Sequence, residues 1–160
     1  DASLLEYGRI ANPDVEFDLG EFIPTMNRGP QREVLRAAFI ALHDWVVSGT
    51  RPPPGDPIET VDGHLRRDAD GNAIGGIRTP AVDAPVAAHS GESDRDEIIF
   101  QLFGSTIPFT PGHLRARYPT HDDYVAAVTS SADAAVAARF LLPDDRDRIF
   151  EEARAAPIPD

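Results

Sequence analysis

The chain has 160 residues, no cysteine and a formal net charge of −12. Hydrophobic residues make up 41% of it and charged residues 26%, which is typical of a globular domain. The missing thiols exclude disulfides, cysteine nucleophiles and cysteine metal ligands, and the negative charge disfavours nucleic acids and anionic membranes as partners.

No apolar run approaches the roughly 18 residues of a membrane span, so we expect a soluble protein without one. A cysteine-free domain suits the cytoplasm and the outside of the cell equally. Lysine is absent, which excludes lysine Schiff-base chemistry within this segment. The chain begins at Asp1 and its single methionine is Met26. We therefore expect Asp1 to continue from an earlier part of a longer protein.

The clearest predicted element is a helix from about Pro30 to Ser48. Proline fits the first turn of a helix and Gly49 fits its C-terminal stop. One face carries apolar residues at helical spacing, namely Val34, Leu35, Ala38, Phe39, Leu42, Trp45 and Val46. This stripe predicts burial against something large, and no other part of the chain is an obvious sheet.

Residues 49–91 form a Gly/Pro-rich stretch, in which thirteen of 43 positions are glycine or proline. Gly71, Gly75 and Gly76 tolerate a positive φ. An irregular segment of this length is either disordered or a functional loop that wraps a partner surface. Apolar residues within it, such as Ile74 and Val82, favour wrapping.

The last third predicts three helices. Thr110 and Pro111 begin a short helix that ends near Arg117. Thr120 to Asp123 resembles a capping box, followed by an apolar face to about Arg139. Pro143 begins the final helix, in which we expect a buried side formed by Ile149, Phe150 and Ala153.

The chain has no G-x-S-x-G nucleophile motif and no phosphate-binding glycine motif. Ser93 and Ser105 each lack the second glycine that a nucleophile turn requires. His89 stands beside Ser90, which suggests a nucleophile and its base, but triad partners usually come from distant loops. A loop histidine is the alternative interpretation.

The sequence predicts no metal site and no cofactor. His121, Asp122 and Asp123 have metal-ligand side chains, yet neighbouring helix positions point in different directions. Acidic residues at the start of a helix explain the pattern without metal. His43, on the long helix, is expected to be a packed or surface residue.

The candidate substrate-binding residues are Asn72 and Arg78, in the glycine-rich segment 70–80. Backbone N–H groups that glycine leaves bare can meet a ligand, and these two side chains can add polar contacts. The alternative is a tight loop packed on the core, with Arg78 binding backbone carbonyls.

Three groups of residues, in this order, resemble a bacterial α/β-hydrolase-domain family. The similarity covers about residues 25–150. The first group is Asn27 to Pro30 with Val34 to Ala38, Ala41 to Val46 and Gly49 to Pro53. The second is Gly71 to Pro80 with Val86 and Ala87, and the third is Phe103 to Phe109 with Leu114, Tyr118, Pro119, Tyr124 and Val125.

The resemblance implies a serine-hydrolase-like parent of the α/β-hydrolase fold, with a Ser-His-acid triad. In that fold the chain order is Ser, then Asp or Glu, then His, and the long helix normally follows the His. The resemblance therefore places the triad His just upstream of Asp1 and no catalytic residue within this segment. An ester or related acyl compound is the substrate class it implies.

We therefore expect residues 1–160 to be the C-terminal part of a single α/β-hydrolase domain, mainly α-helical with a long irregular stretch. Residues 1–49 would end the core with its last long helix, 50–109 would be a loop-rich extension, and 110–156 the C-terminal helices. The expected partners are the N-terminal remainder of the same protein and a small ester-type substrate. The alternative function is a standalone helical binding module without catalysis.

Overall fold

The computed structural model describes residues 26–91 and 103–158. The helices in this part of the chain are α1 (Gln31–Ser48), α2 (Pro80–Asp83), α3 (Pro111–Arg117), α4 (His121–Ala137) and α5 (Pro143–Ala155). The strands are β1 (Thr60–Val61), β2 (His64–Leu65), β3 (Ala87–Ser90) and β4 (Ser105–Pro108). Ser93 and the residues before Met26 lie outside the described residues.

Helix α1 confirms the long predicted helix. Gly49 ends it in the left-handed conformation, with φ +74°, and donates its N–H to the Trp45 carbonyl. Glycine carries no Cβ to clash in this conformation, which is why it ends helices. Pro30 lies at the N-cap, one position before the first turn in which the sequence placed it.

The buried side of α1 differs from the prediction. Glu33, Ala37 and Ala41 are buried, whereas six of the seven predicted stripe residues are exposed and Val34 is half-buried. Phe39 is 68% exposed and Val46 is 77% exposed. The large exposed residues of the helix are Leu35, Phe39, Ile40, Leu42, Trp45, Val46 and Val47, which we call the α1 stripe. On this side, ion pairs of Glu33 and Arg36 join α1 to α5.

The core lies among α2, α4 and α5. Helix α4 packs against both α2 and α5. One apolar cluster contains Ala84, Tyr118, Tyr124, Val128 and Ala153, and Ile149 links it to a second cluster. The members of that second cluster are Ala132, Ala135 and Leu141. Tyr118 and Tyr124 meet edge to face, with ring centroids 5.1 Å apart.

The starts of the C-terminal helices confirm the sequence signals. The Thr110 hydroxyl accepts the His113 N–H at the start of α3. Thr120 and Asp123 form the complete capping box of α4, each side chain accepting the other residue's N–H. Of the predicted buried side of α5, Ala153 is buried, while Phe150 is half-buried, flanked by the guanidinium groups of Arg146 and Arg154.

The Gly/Pro-rich stretch contains strands that the sequence did not reveal. Strands β1 and β2 pair antiparallel, and isolated bridges join Ile58 to Gly75 and Arg67 to Ala73. Strand β3 pairs antiparallel with β4. Each strand is two to four residues long. An alternating pattern cannot be recognised over so few positions, and pairing partners far apart in sequence leave no local signal.

No helix among the described residues is both long and apolar enough to cross a membrane.

Two glycines with the same backbone conformation provide a matched test of the loop. Gly75 has φ +81° and Gly63 has φ +80°. A Cβ on Gly75 would overlap the Pro57 carbonyl oxygen, whereas a Cβ on Gly63 would meet nothing within 4 Å. We expect Gly63→Ala to lower the free energy of unfolding by about 1 kcal/mol through left-handed strain. Gly75→Ala should lower the free energy of unfolding, measured by urea denaturation, by at least about 1 kcal/mol more than Gly63→Ala, because the backbone must also move. Equal costs would contradict the close approach.

Candidate functional site

A cavity of about 440 Å³ lies between the start of α1, the β3–β4 pair and helices α4 and α5. Much of its wall is apolar and comes from Pro30, Pro80, Ala81, Ala84, Val86, Ala87, Pro108, Val128, Leu141, Ile149 and Ala153. Its polar lining consists of Arg28, Glu33, Thr79, His89, Thr106, Tyr124, Arg148 and Glu152. An apolar cavity with a few polar groups is the usual form of a small-molecule site.

The side chains of Thr106 and Asn72 hold His89 on strand β3. Its ring Nδ1 lies 3.2 Å from the Thr106 hydroxyl, and that hydroxyl also accepts the Arg28 N–H at 2.8 Å. The backbone N–H of His89 donates to Asn72 Oδ1 at 2.8 Å. Antiparallel pairing places His89 opposite Thr106 in the β3–β4 ladder. The orientation of the ring therefore depends on this short sheet.

Burial lowers the pKa of His89 below its ordinary value of 6.5, because desolvation disfavours the charged imidazolium. The side chain is consequently neutral at pH 7. Its Nε2 has no hydrogen-bond partner among the described residues. A neutral imidazole can donate or accept a hydrogen bond at this atom, depending on the tautomer.

Tyr124 adds a second neutral group to the lining. Burial first, and then the neighbouring Tyr118 and Glu152, raise the pKa of its phenol above 10.0. The hydroxyl therefore stays protonated at neutral pH.

An ion-pair group closes the side of the cavity between α1 and α5. Arg148 bonds Glu33 and Glu152, and Arg36 bonds Asp145. The Asp145 side chain is 1% exposed and also lies 3.8 Å from the Arg148 guanidinium. Asp145 Oδ2 has no hydrogen-bond partner in the described part of the chain. A buried carboxylate requires such cations, because an unpaired charge is costly away from water.

The two predicted substrate-binding residues lie outside the cavity lining. Asn72 is fully buried, and its Nδ2 donates to the Ala87 carbonyl at 3.2 Å. Arg78 donates to the carbonyls of Ala73 and Val82, each at 3.2 Å, and pairs with Asp83. These bonds match the alternative interpretation, a tight loop packed on the core in which Arg78 binds backbone carbonyls. Substrate contact by Asn72 and Arg78 stays a prediction.

His89 and Ser90 are not brought together as base and nucleophile. Successive strand residues point to opposite faces, so the two side chains diverge. The Ser90 hydroxyl lies 3.0 Å from the Arg67 guanidinium, and the His89 ring contacts Thr106. His43 lies on the surface, 3.5 Å from the Asp44 carboxylate.

The His121 to Asp123 segment serves the start of α4. His121 Nε2 lies 3.2 Å from the Ala153 carbonyl oxygen, and Asp123 completes the capping box. Within residues 26–91 and 103–158, no three His, Asp or Glu side chains are grouped so as to hold a metal ion.

A second histidine cluster was missed by the sequence analysis. His113 Nε2 lies 2.8 Å from Asp70 Oδ1, and Arg117 pairs with the other Asp70 oxygen. The Phe109 ring stacks on His113 with centroids 4.3 Å apart. Asp70 is 43 residues from His113, and neither residue belongs to a recognisable motif, so only the folded loop reveals the pairing.

Comparison with known proteins gives one family match. A family model described as an alpha/beta hydrolase domain matches residues 2–151. No curated protein and no solved structure matches the chain.

Arg148 and Arg154 are matched arginines of α5 that differ in burial. Replacing Arg148 by Gln removes the cation shared by Glu33, Glu152 and Asp145. We expect a loss of about 2 kcal/mol in the free energy of unfolding, less than for a fully buried pair because Arg148 is one-third exposed. Arg154→Gln, at an exposed 3.8 Å pair, should change stability by less than about 0.5 kcal/mol. Equal effects in urea denaturation would refute a central role for Arg148.

The lowered pKa of His89 makes stability depend on pH. The unfolded chain takes up a proton near pH 6.5, where the folded chain resists it. The free energy of unfolding should therefore fall as the pH drops below about 6.5. His89→Gln should reduce this slope. Parallel slopes for the wild type and His89→Gln in denaturation between pH 7 and 5 would contradict the assignment.

Proposed function

Because the chain belongs to the alpha/beta hydrolase domain family, we propose that it is the C-terminal scaffold segment of a serine hydrolase that cleaves small esters. In this proposal the chain completes the fold and contributes a wall to the substrate pocket. The nucleophile and the triad histidine belong to the N-terminal remainder of the same protein.

The observation that carries the proposal is the α1 stripe. Seven large apolar side chains on one helix are exposed, including Phe39, Trp45 and Val46. Contiguous apolar patches of this kind mark interaction surfaces. In α/β folds the apolar side of a helix packs on a parallel sheet. Covering each of these side chains contributes roughly 1.5–3 kcal/mol when burial is complete.

The other side of α1 explains how the helix serves as a bridge. Glu33 and Arg36 pair with Arg148 and Asp145 of α5, while the stripe stays uncovered by the described residues. We propose that the helix packs on the parent sheet through the stripe and holds the C-terminal helices through its charges.

The family match supports the proposed chemistry. The 160 residues contain no G-x-S-x-G turn, so we place the nucleophilic serine upstream of Asp1. There an activated serine attacks the ester carbonyl and an oxyanion hole stabilises the tetrahedral intermediate. The triad histidine takes the serine proton and later delivers it to the leaving alcohol. Water then hydrolyses the acyl-enzyme.

Labelling with a fluorophosphonate probe tests whether the nucleophilic serine lies upstream of this segment. We expect the longer protein, expressed with the coding sequence upstream of Asp1, to be labelled on a serine before this segment. The 160-residue chain alone should remain unlabelled and should self-associate through the stripe.

Substitutions in the longer protein test the role of the stripe. Phe39→Asp should abolish labelling and lower solubility, because a charge would enter the helix–sheet interface. Val61→Asp, at a position on β1 that is 57% exposed, should leave labelling intact. Labelling of the 160-residue chain itself would place the nucleophile within it. A monomeric, cooperatively folding chain, with no labelling of the longer protein, would favour the standalone binding module.

A further inference from the structure

The cavity is a built compartment within the described residues, distinct from the α1 stripe. Its volume of about 440 Å³ lies within the range of small-molecule sites. Buried residues from both apolar clusters form its walls, including Ala84, Val128 and Leu141. An aliphatic ligand would therefore meet side chains that are already packed and need little rearrangement.

The charges in the lining balance one another. Arg28 and Arg148 contribute two positive charges, and Glu33 and Glu152 contribute two negative ones. Arg148 already bonds both glutamates. His89 adds no charge, since burial keeps its ring neutral at pH 7. A charged ligand would lose its hydration without finding a net opposite charge, so the lining selects against ions.

Three uncharged polar atoms of the lining residues have no hydrogen-bond partner among the described residues. They are His89 Nε2, the Tyr124 hydroxyl and the fully buried Thr79 Oγ1. The His89 ring is fixed in place, because its Nδ1 contacts Thr106 and its strand is paired. The Thr106 hydroxyl can donate to Nδ1 or accept from it, so Nε2 can serve either a ligand donor or a ligand acceptor.

We propose that this cavity binds an uncharged, largely aliphatic molecule that carries a hydroxyl or carbonyl oxygen, held by His89 Nε2 and the Tyr124 hydroxyl. The site belongs to this chain, and binding requires no nucleophile. It therefore goes beyond the proposed function, although the alcohol released by an ester falls within the same chemical class.

Three probes of equal chain length test the selectivity. Hexanol, hexanoate and hexylammonium are titrated into the 160-residue chain at pH 7 and followed by ligand-observed saturation-transfer NMR, which tolerates self-association. We expect hexanol to bind with a dissociation constant in the millimolar range, as suits so small a ligand. The two ions should bind about tenfold more weakly or worse. Equal binding of all three probes would overturn the proposal.

Substitutions locate the site. His89→Phe should weaken hexanol binding about fivefold by removing the hydrogen bond, and His43→Phe, at an exposed histidine, should leave it unchanged. Tyr124→Phe removes a single oxygen and should weaken binding without disturbing the fold. Circular dichroism checks each variant, and Tyr124→Phe decides the outcome if His89→Phe unfolds. Unchanged affinity in the folded variants would refute the assignment.

The α1 stripe needs its own control, because it is also apolar. Phe39→Asp should leave hexanol binding unchanged if the cavity is the site. Loss of binding in this variant would assign the alcohol to the stripe and overturn the proposal. This test does not use serine labelling of the longer protein. The ligand-site proposal and the hydrolase proposal would therefore be contradicted by different measurements.

Discussion

The position of helix α1 depends on the ion-pair group that joins it to α5. Asp145 is almost fully buried and needs a cation, which Arg36 supplies from α1. In the other direction, Arg148 of α5 forms an ion pair with Glu33 of α1. Besides the charged Glu33, the buried residues of α1 are the small Ala37 and Ala41. The ion pairs therefore turn Glu33 and Arg36 toward α5, while the α1 stripe stays exposed.

The same interaction shapes the cavity. Glu33 and Arg148 form part of its lining, so the pairs that fix α1 also close one side of the compartment. The opposite side depends on the β3–β4 pair, which places His89 beside Thr106. Thr106 in turn accepts the backbone N–H of Arg28, three residues before α1 begins. The start of the helix is thus held by hydrogen bonds on one side and by ion pairs on the other.

The family match gives these features a common explanation. The alpha/beta hydrolase domain model covers residues 2–151, and an α/β architecture supplies a sheet on which an apolar helix face can pack. The described residues contain only two-stranded antiparallel pairs, so such a sheet is the proposed partner of α1 rather than an element of this part of the chain. The helix would then connect that sheet to a C-terminal layer with its own cavity.

The sequence by itself determined the family and the ends of the helices. Gly49, Thr110 and the Thr120–Asp123 capping box act on backbone groups within one turn, so their signals are local and readable. The tertiary structure alone decided which side of α1 is buried, because Arg36 and Asp145 are 109 residues apart and no spacing links them. It also decided the pairing of β3 with β4 and the neutral, fixed state of His89. These features arise from contacts and desolvation between distant segments, which leave no periodic trace in the chain.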